Sequence, residues 1–175
     1  MTARALVIVV ALLVTAPIAL SAAAAPMRTS GPQPIYAAFS LLKQGKPTTR
    51  RCGTYRITRG TYTGRSASPD PRLAGRVTYT GRIALSSGST SGVASGTMTL
   101  RDSRNRIRMR ANVSGVVTQS TTVNGLVTGS LMRPSALLLA NVTIVFDEEL
   151  GFAAVRLGLE NGANSGVAYP AIPNC

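Results

Sequence analysis

The sequence contains no histidine and no tryptophan. Without His there is no Ser-His-Asp or Cys-His set, no His-ligated metal and no general base that titrates near neutrality. Without Trp, the G-x-W signature of lipocalins and the tryptophan-lined pocket of avidins are excluded. Aromatics are 5% of the chain. That is too few for the aromatic girdles of a membrane barrel, or for the stacking platforms of single-strand nucleic-acid binders.

Carboxylates are also scarce, six against 19 Lys and Arg. Asp147, Glu148 and Glu149 are consecutive, but they fall at a predicted hairpin turn. There, solvation is a simpler reading than a weak calcium site completed by Asn161. Asp70 lies between two prolines and reads as a turn residue. Ser40-Leu41-Leu42-Lys43 matches S-x-x-K, the nucleophile and its activating lysine in penicillin-binding proteins. The S-D-N and K-T-G elements that accompany it there are missing. No catalytic set, metal site or cofactor is implied, so the balance leans toward a non-enzymatic binding module, with an isomerase or cyclase working through a shaped apolar cavity, or a purely structural secreted domain, as the alternatives.

Residues 1–24 read as an export signal. Arg4 is the positive n-region, Ala5 to Leu20 is an apolar run broken by Thr15 and Pro17, and Ser21 to Ala25 supplies small residues for cleavage after Ala24. The run is short for a bilayer-spanning helix of about 20 residues and carries a helix-disturbing proline. Export to the cell envelope or the extracellular space changes the reading of the two cysteines. Cys52 and Cys175 are expected to pair as a disulfide, because an oxidising compartment favours the bond.

The charge that remains is concentrated. Residues 25–110 hold 16 of the Lys and Arg, against Asp70 and Asp102 alone, and the net charge is +13. Such basicity keeps an exported protein soluble. It also favours anionic partners, here an anionic polymer or lipid headgroups rather than intracellular nucleic acid.

The most patterned stretch is Arg104 to Val117. Arg104, Arg106, Arg108 and Arg110 alternate with Asn105, Ile107, Met109 and Ala111, and the apolar row continues through Val113 and Val117. Side chains on a strand alternate faces. The stretch is therefore expected to be a strand with a cationic ladder outside, a candidate anion-binding face, and an apolar row inside.

The same period runs through Thr54–Thr63, Leu73–Leu85, Val93–Arg101, Val123–Met132, Leu137–Phe146 and Phe152–Leu159, with Val167–Tyr169 as a short eighth strand. Connections are short, so consecutive strands are expected to pair antiparallel. Gly81, Gly96, Gly115 and Gly129 each interrupt the apolar row of a different strand, as glycines at barrel corners do.

The expected fold is all-β. Seven to eight strands form an antiparallel meander that closes into a small up-and-down barrel, with a flattened β-sandwich as the alternative. One short N-terminal helix is expected from Pro34, because Ile35, Phe39 and Leu42 recur at i, i+4 and i+7 and Gly45 follows as a stop. The chain then divides into the signal (1–24), a flexible lead-in with the helix (25–51) and one barrel domain (52–175). Thr61-Tyr62-Thr63-Gly64 recurs as Thr78-Tyr79-Thr80-Gly81 and reads as shared strand chemistry. Tyr79, Ile83, Met98, Met109, Val127, Ile144 and Phe146 are the candidate lining of a cavity for a small apolar ligand. That reading competes with an interior simply filled by side chains.

Overall fold

The computed structural model describes residues 32–33, 35–147, 151–158 and 169–172. The expected signal segment and Cys175 lie outside them. The elements in chain order are β1 (Pro32–Gln33), β2 (Ala37–Cys52), β3 (Tyr55–Ser66), a 3-10 turn (Pro71–Leu73), β4 (Arg76–Ser86), β5 (Gly92–Arg101), β6 (Ile107–Thr118), β7 (Thr122–Met132), β8 (Ser135–Asp147) and β9 (Phe152–Gly158).

Strands β2 to β9 each pair antiparallel with the next, and β9 pairs back onto β2, which closes an eight-stranded barrel. Ladder partners from Val117 one way, through Val123, Ile144 and Val155, lead to Phe39. The other way, through Gly92, Leu85 and Arg56, they lead to Arg51 of the same strand. This displacement of about twelve residues is the stagger that closure requires, and it leaves an interior suited to filling side chains or one small ligand. β1 pairs parallel with Leu137 and Leu138 of β8, while β9 pairs with β8 only from Asn141 onward.

The meander and its closure agree with the sequence pattern, and all seven predicted long strands are present. The helix is not. Residues 37–52 form one 16-residue strand, so they belong to the barrel and not to a lead-in. Ile35, Ala37, Phe39 and Leu41 are all buried. This period-2 row shares Ile35 and Phe39 with the helical reading, and small Ala37 hid the alternation. Gly45 is no helix stop. It has φ of 68° and lies where the β2–β3 register shifts, between Gln44 and Thr48. The eighth barrel strand therefore comes from the N-terminal side. Val167–Tyr169 lies outside the described residues but for Tyr169, which is not in a strand.

On β6 the expected inward row is confirmed, because Met109, Ala111, Val113 and Val117 are buried. With equivalent rows from the other strands they form one continuous apolar core. The corner glycines divide into two kinds. A Cβ on Gly129 would meet the Arg110 carbonyl oxygen, with Ala111 Cα at 2.6 Å, and one on Gly115 would stand 3.0 Å from Gly125 Cα. These positions let the β6 and β7 backbones approach closely. Gly81 accommodates the ring of Tyr79, and Gly96 both that ring and the Thr80 carbonyl, 2.7 Å from where its Cβ would stand.

A second, smaller cluster lies outside the barrel. Ile57, Ala84 and Ile172 are buried together, with Cys52 and Val93 against them. Ile57 and Ala84 are ladder partners on the face opposite to the cavity-lining Thr58 and Ile83. The C-terminal segment around Ile172 thus crosses the outer surface of β3 and β4 and reaches the end of β2.

The turn before β4 carries a bidentate ion pair. Asp70 accepts from the Arg72 backbone N–H and from its guanidinium, with Nη2 at 2.7 Å. The Arg72 side chain holds the Asp70 carboxyl below its ordinary value of 3.8. A carboxylate with a depressed folded-state pKa contributes stability above its unfolded value and loses it as pH falls through the folded one. Asp70→Asn should therefore reduce the drop in Tm between about pH 6 and about pH 3. Thermal unfolding at the two pH values checks this.

Candidate functional site

The interior is filled at one end and open at the other. The open part is a cavity of about 810 Å³, lined by residues of β2, β3 and β4, the β6–β7 turn and the end of β8. That volume lies within the range of small-molecule sites, about 300–1,000 Å³. Of the seven predicted lining residues, Tyr79, Ile83 and Phe146 do line it. Met98, Met109, Val127 and Ile144 do not. They are buried in the core that fills the rest of the barrel.

The floor is aromatic. Tyr62 lies between Tyr79 and Phe146, with ring centroids 6.3 and 5.3 Å away. The recurring T-Y-T-G now has a structural meaning, because Thr61, Tyr62 and Thr63 are the ladder partners of Thr80, Tyr79 and Thr78. An antiparallel T-Y-T segment pairs in register with another copy of itself, which puts the two tyrosines side by side on the inner face. The Thr61 and Thr80 hydroxyls meet at 3.2 Å on the outer one.

Above the tyrosines, Gly60, Gly81 and Gly96 are direct partners across three strands. A Cβ on Gly96 would stand 2.6 Å from the Tyr79 ring, one on Gly81 would strike its hydroxyl, and one on Gly60 would stand 3.1 Å from Tyr62. The glycine row gives the rings room to lean toward the mouth.

Tyr79 is fully buried, and its hydroxyl has no hydrogen-bond partner among the described residues. Burial, with a contribution from Tyr62, pushes the Tyr79 phenol well above its usual range, so it stays protonated and can donate. A buried hydroxyl without a partner costs about 1–3 kcal/mol.

The walls become polar toward the mouth. Thr49 and Thr58 share a hydrogen bond of 3.2 Å, and both line the cavity with Lys43, Arg56, Ser120, Thr121 and Asp147. Gln119 and Ser120 at the rim have φ of 53° and 61°, and Ser120 N–H donates to the Thr90 carbonyl at 2.7 Å. A neighbouring hairpin thus holds the rim turn in a conformation that non-glycine residues rarely adopt.

The arginine ladder is only partly on a strand. Arg104 and Arg106 lie in the β5–β6 turn, where Asp102 accepts from both backbone N–H groups and forms an ion pair with the Arg106 guanidinium at 2.9 Å. Arg108 and Arg110 are on β6, but the register shifts between Leu100 and Arg101, which leaves Arg108 unpaired in the ladder. Arg110 is flanked by Thr99 and Ser130 on the outer face.

The register instead builds a row the sequence did not reveal. Arg65, Arg76 and Arg101 are direct partners across β3, β4 and β5. Ser40 and Lys43 of the S-x-x-K motif pair with Arg65 and Tyr62, and so lie on opposite faces of β2. Among the described residues, no group of three or more acidic or cysteine side chains is placed to hold a metal, and no helix is long and apolar enough to cross a membrane. Glu148, Glu149 and Asn161 lie outside the described residues. No family model matches the chain, and no curated protein or solved structure is similar to it.

Proposed function

We propose that this protein is a non-enzymatic, exported carrier that holds one small, largely apolar molecule in the open end of its barrel. The observation that carries the reading is the open cavity with its floor of Tyr62, Tyr79 and Phe146, beneath which the buried Tyr79 hydroxyl has no hydrogen-bond partner among the described residues. The apolar aromatic floor takes the body of the ligand, and the protonated phenol donates to an acceptor oxygen on it. The Ser/Thr-rich mouth, with Lys43 and Arg56, tolerates a polar end. The signal-like first 24 residues support export.

The test compares a long-chain methyl ketone with the alkane of equal length, as competitors for a neutral fluorescent dye. The ketone should bind about tenfold more tightly, the equivalent of one buried hydrogen bond. Tyr79→Phe should remove that preference and raise the stability of the empty protein by about 1 kcal/mol. Equal binding of ketone and alkane by the parent protein would contradict the reading.

A second reading concerns the exterior, where the basic surface engages an anionic envelope partner. It is favoured by the net charge of +13 and by the outward arginines of β3 to β6. Binding to anionic vesicles that weakens steeply with salt would support it.

A further inference from the structure

Arg65, Arg76 and Arg101 stand directly opposite one another on three adjacent strands. Partners in such a ladder have Cβ atoms about 4.5–5.5 Å apart, and like charges directly opposite destabilise a sheet. Their inward neighbours Gly64, Val77 and Leu100 form a row of direct partners whose Val77 and Leu100 are fully buried. The three guanidiniums therefore share the outer face.

The nearby carboxylates do not neutralise them. Asp70 is bound by Arg72, and Asp102 by Arg106 and the turn backbone. None of the three row arginines forms an ion pair among the described residues. Arg101 is oriented by donating from Nη1 to the Asn105 carbonyl at 3.0 Å. The row lines a concavity of about 480 Å³ with Ser66, Gly75, Asp102, Ser103 and Asn105. Its wall is fixed by the Ser66 N–H, which donates to the Gly75 carbonyl at 3.0 Å, and by the close approach of Gly75 to the Arg101 carbonyl.

We propose that the Arg65–Arg76–Arg101 row is a binding site for a phosphate-type tetrahedral oxyanion, free or carried on a lipid headgroup. An oxyanion spanning the row replaces repulsion between like charges with charge-assisted hydrogen bonds, for which planar guanidinium forks are well shaped. The site deepens the reading of a basic exterior, lies outside the cavity and does not depend on what the cavity holds.

The test is thermal unfolding of the mature protein in inorganic phosphate against chloride at matched ionic strength. Alongside it runs sedimentation with phosphatidylcholine vesicles, with and without phosphatidic acid. In the parent protein, phosphate should raise Tm saturably. Arg76→Ser and Arg65→Ser should each weaken that midpoint by at least about tenfold, the effect of one lost charge-assisted contact. Both should leave Tm in dilute chloride unchanged or higher, since a like-charge neighbour has gone. The double change Arg108→Ser and Arg110→Ser should leave the phosphate effect in place. Binding to phosphatidic acid vesicles alone, lost in Arg76→Ser, supports the site with a headgroup as its ligand. The proposal is overturned if phosphate acts like chloride and vesicle binding is absent or indifferent to Arg76. Vesicle binding that survives Arg76→Ser and Arg65→Ser would leave the basic-exterior reading standing without this row.

Discussion

Gly129→Val should destabilise the barrel by at least about 3 kcal/mol, the range of severe overpacking against an element that cannot move away. A side chain at position 129 would be driven into the Arg110 carbonyl, with Ala111 Cα only 2.6 Å from its Cβ. Both are main-chain atoms of β6, held in register by ladder partners from Met109 to Thr118. Relief requires the two strands to separate, which breaks cross-strand hydrogen bonds. Gly60→Ala is the matched control. Its Cβ would meet only the Tyr62 ring, at 3.1 Å, and a side chain can turn aside. That change should cost about 1 kcal/mol or less. Urea unfolding separates the two. A Gly129→Val protein within about 1 kcal/mol of the parent would show that the β6 and β7 backbones are not held as closely as this approach implies.

Cys52→Ser should lower stability by roughly 4–5 kcal/mol if Cys52 is bonded to Cys175, as the chain-entropy model gives for a closed loop of about 120 residues. We propose that pairing on the position of Ile172. Three residues before Cys175, Ile172 is buried against Ile57 and Ala84, and Cys52 packs against the same cluster. The tail is thereby delivered to the end of β2 where Cys52 stands. The bond is not needed to join the first and last barrel strands, since β2 and β9 already pair over six residues, Ala37–Leu42 against Phe152–Leu157. The role we propose for it is to fasten the tail over the outward apolar patch. Replacing both cysteines should therefore cost no more than replacing one, whereas Ile172→Ala should cost less, about 2–3 kcal/mol. Alkylation of both thiols in the native, unreduced protein would refute the pairing.

The barrel was legible because period 2 is unambiguous wherever large apolar residues mark it, as from Met109 to Val117. It failed at the N-terminal strand, where Ala37 is too small to register as core and Ile35, Phe39 and Leu42 satisfy a helical spacing by coincidence. The cavity was half legible. Tyr79, Ile83 and Phe146 stood on the right rows, but alternation gives the face of a residue and not its height along the barrel axis. Met98 and Met109 were therefore indistinguishable from true lining residues. The outer arginine row was hidden for a related reason. Arg65, Arg76 and Arg101 are far apart in sequence, and only the ladder register makes them neighbours. One clue was available, because an antiparallel pairing of the two T-Y-T segments also sets Arg65 opposite Arg76. Arg104 to Arg110 was the more conspicuous charge pattern, but a turn ending in positive-φ Asn105 (φ 61°) takes its first half off the strand.

The open end of the barrel as a binding site is tested most directly by titration with the neutral dye N-phenyl-1-naphthylamine. The protein should bind one equivalent saturably. Ile83→Trp places a large ring inside the cavity wall, in a chain that otherwise has no tryptophan. It should leave a cooperatively folded protein that no longer takes up the dye. Absence of saturable binding by the parent protein, or unchanged binding by folded Ile83→Trp, would contradict the central claim.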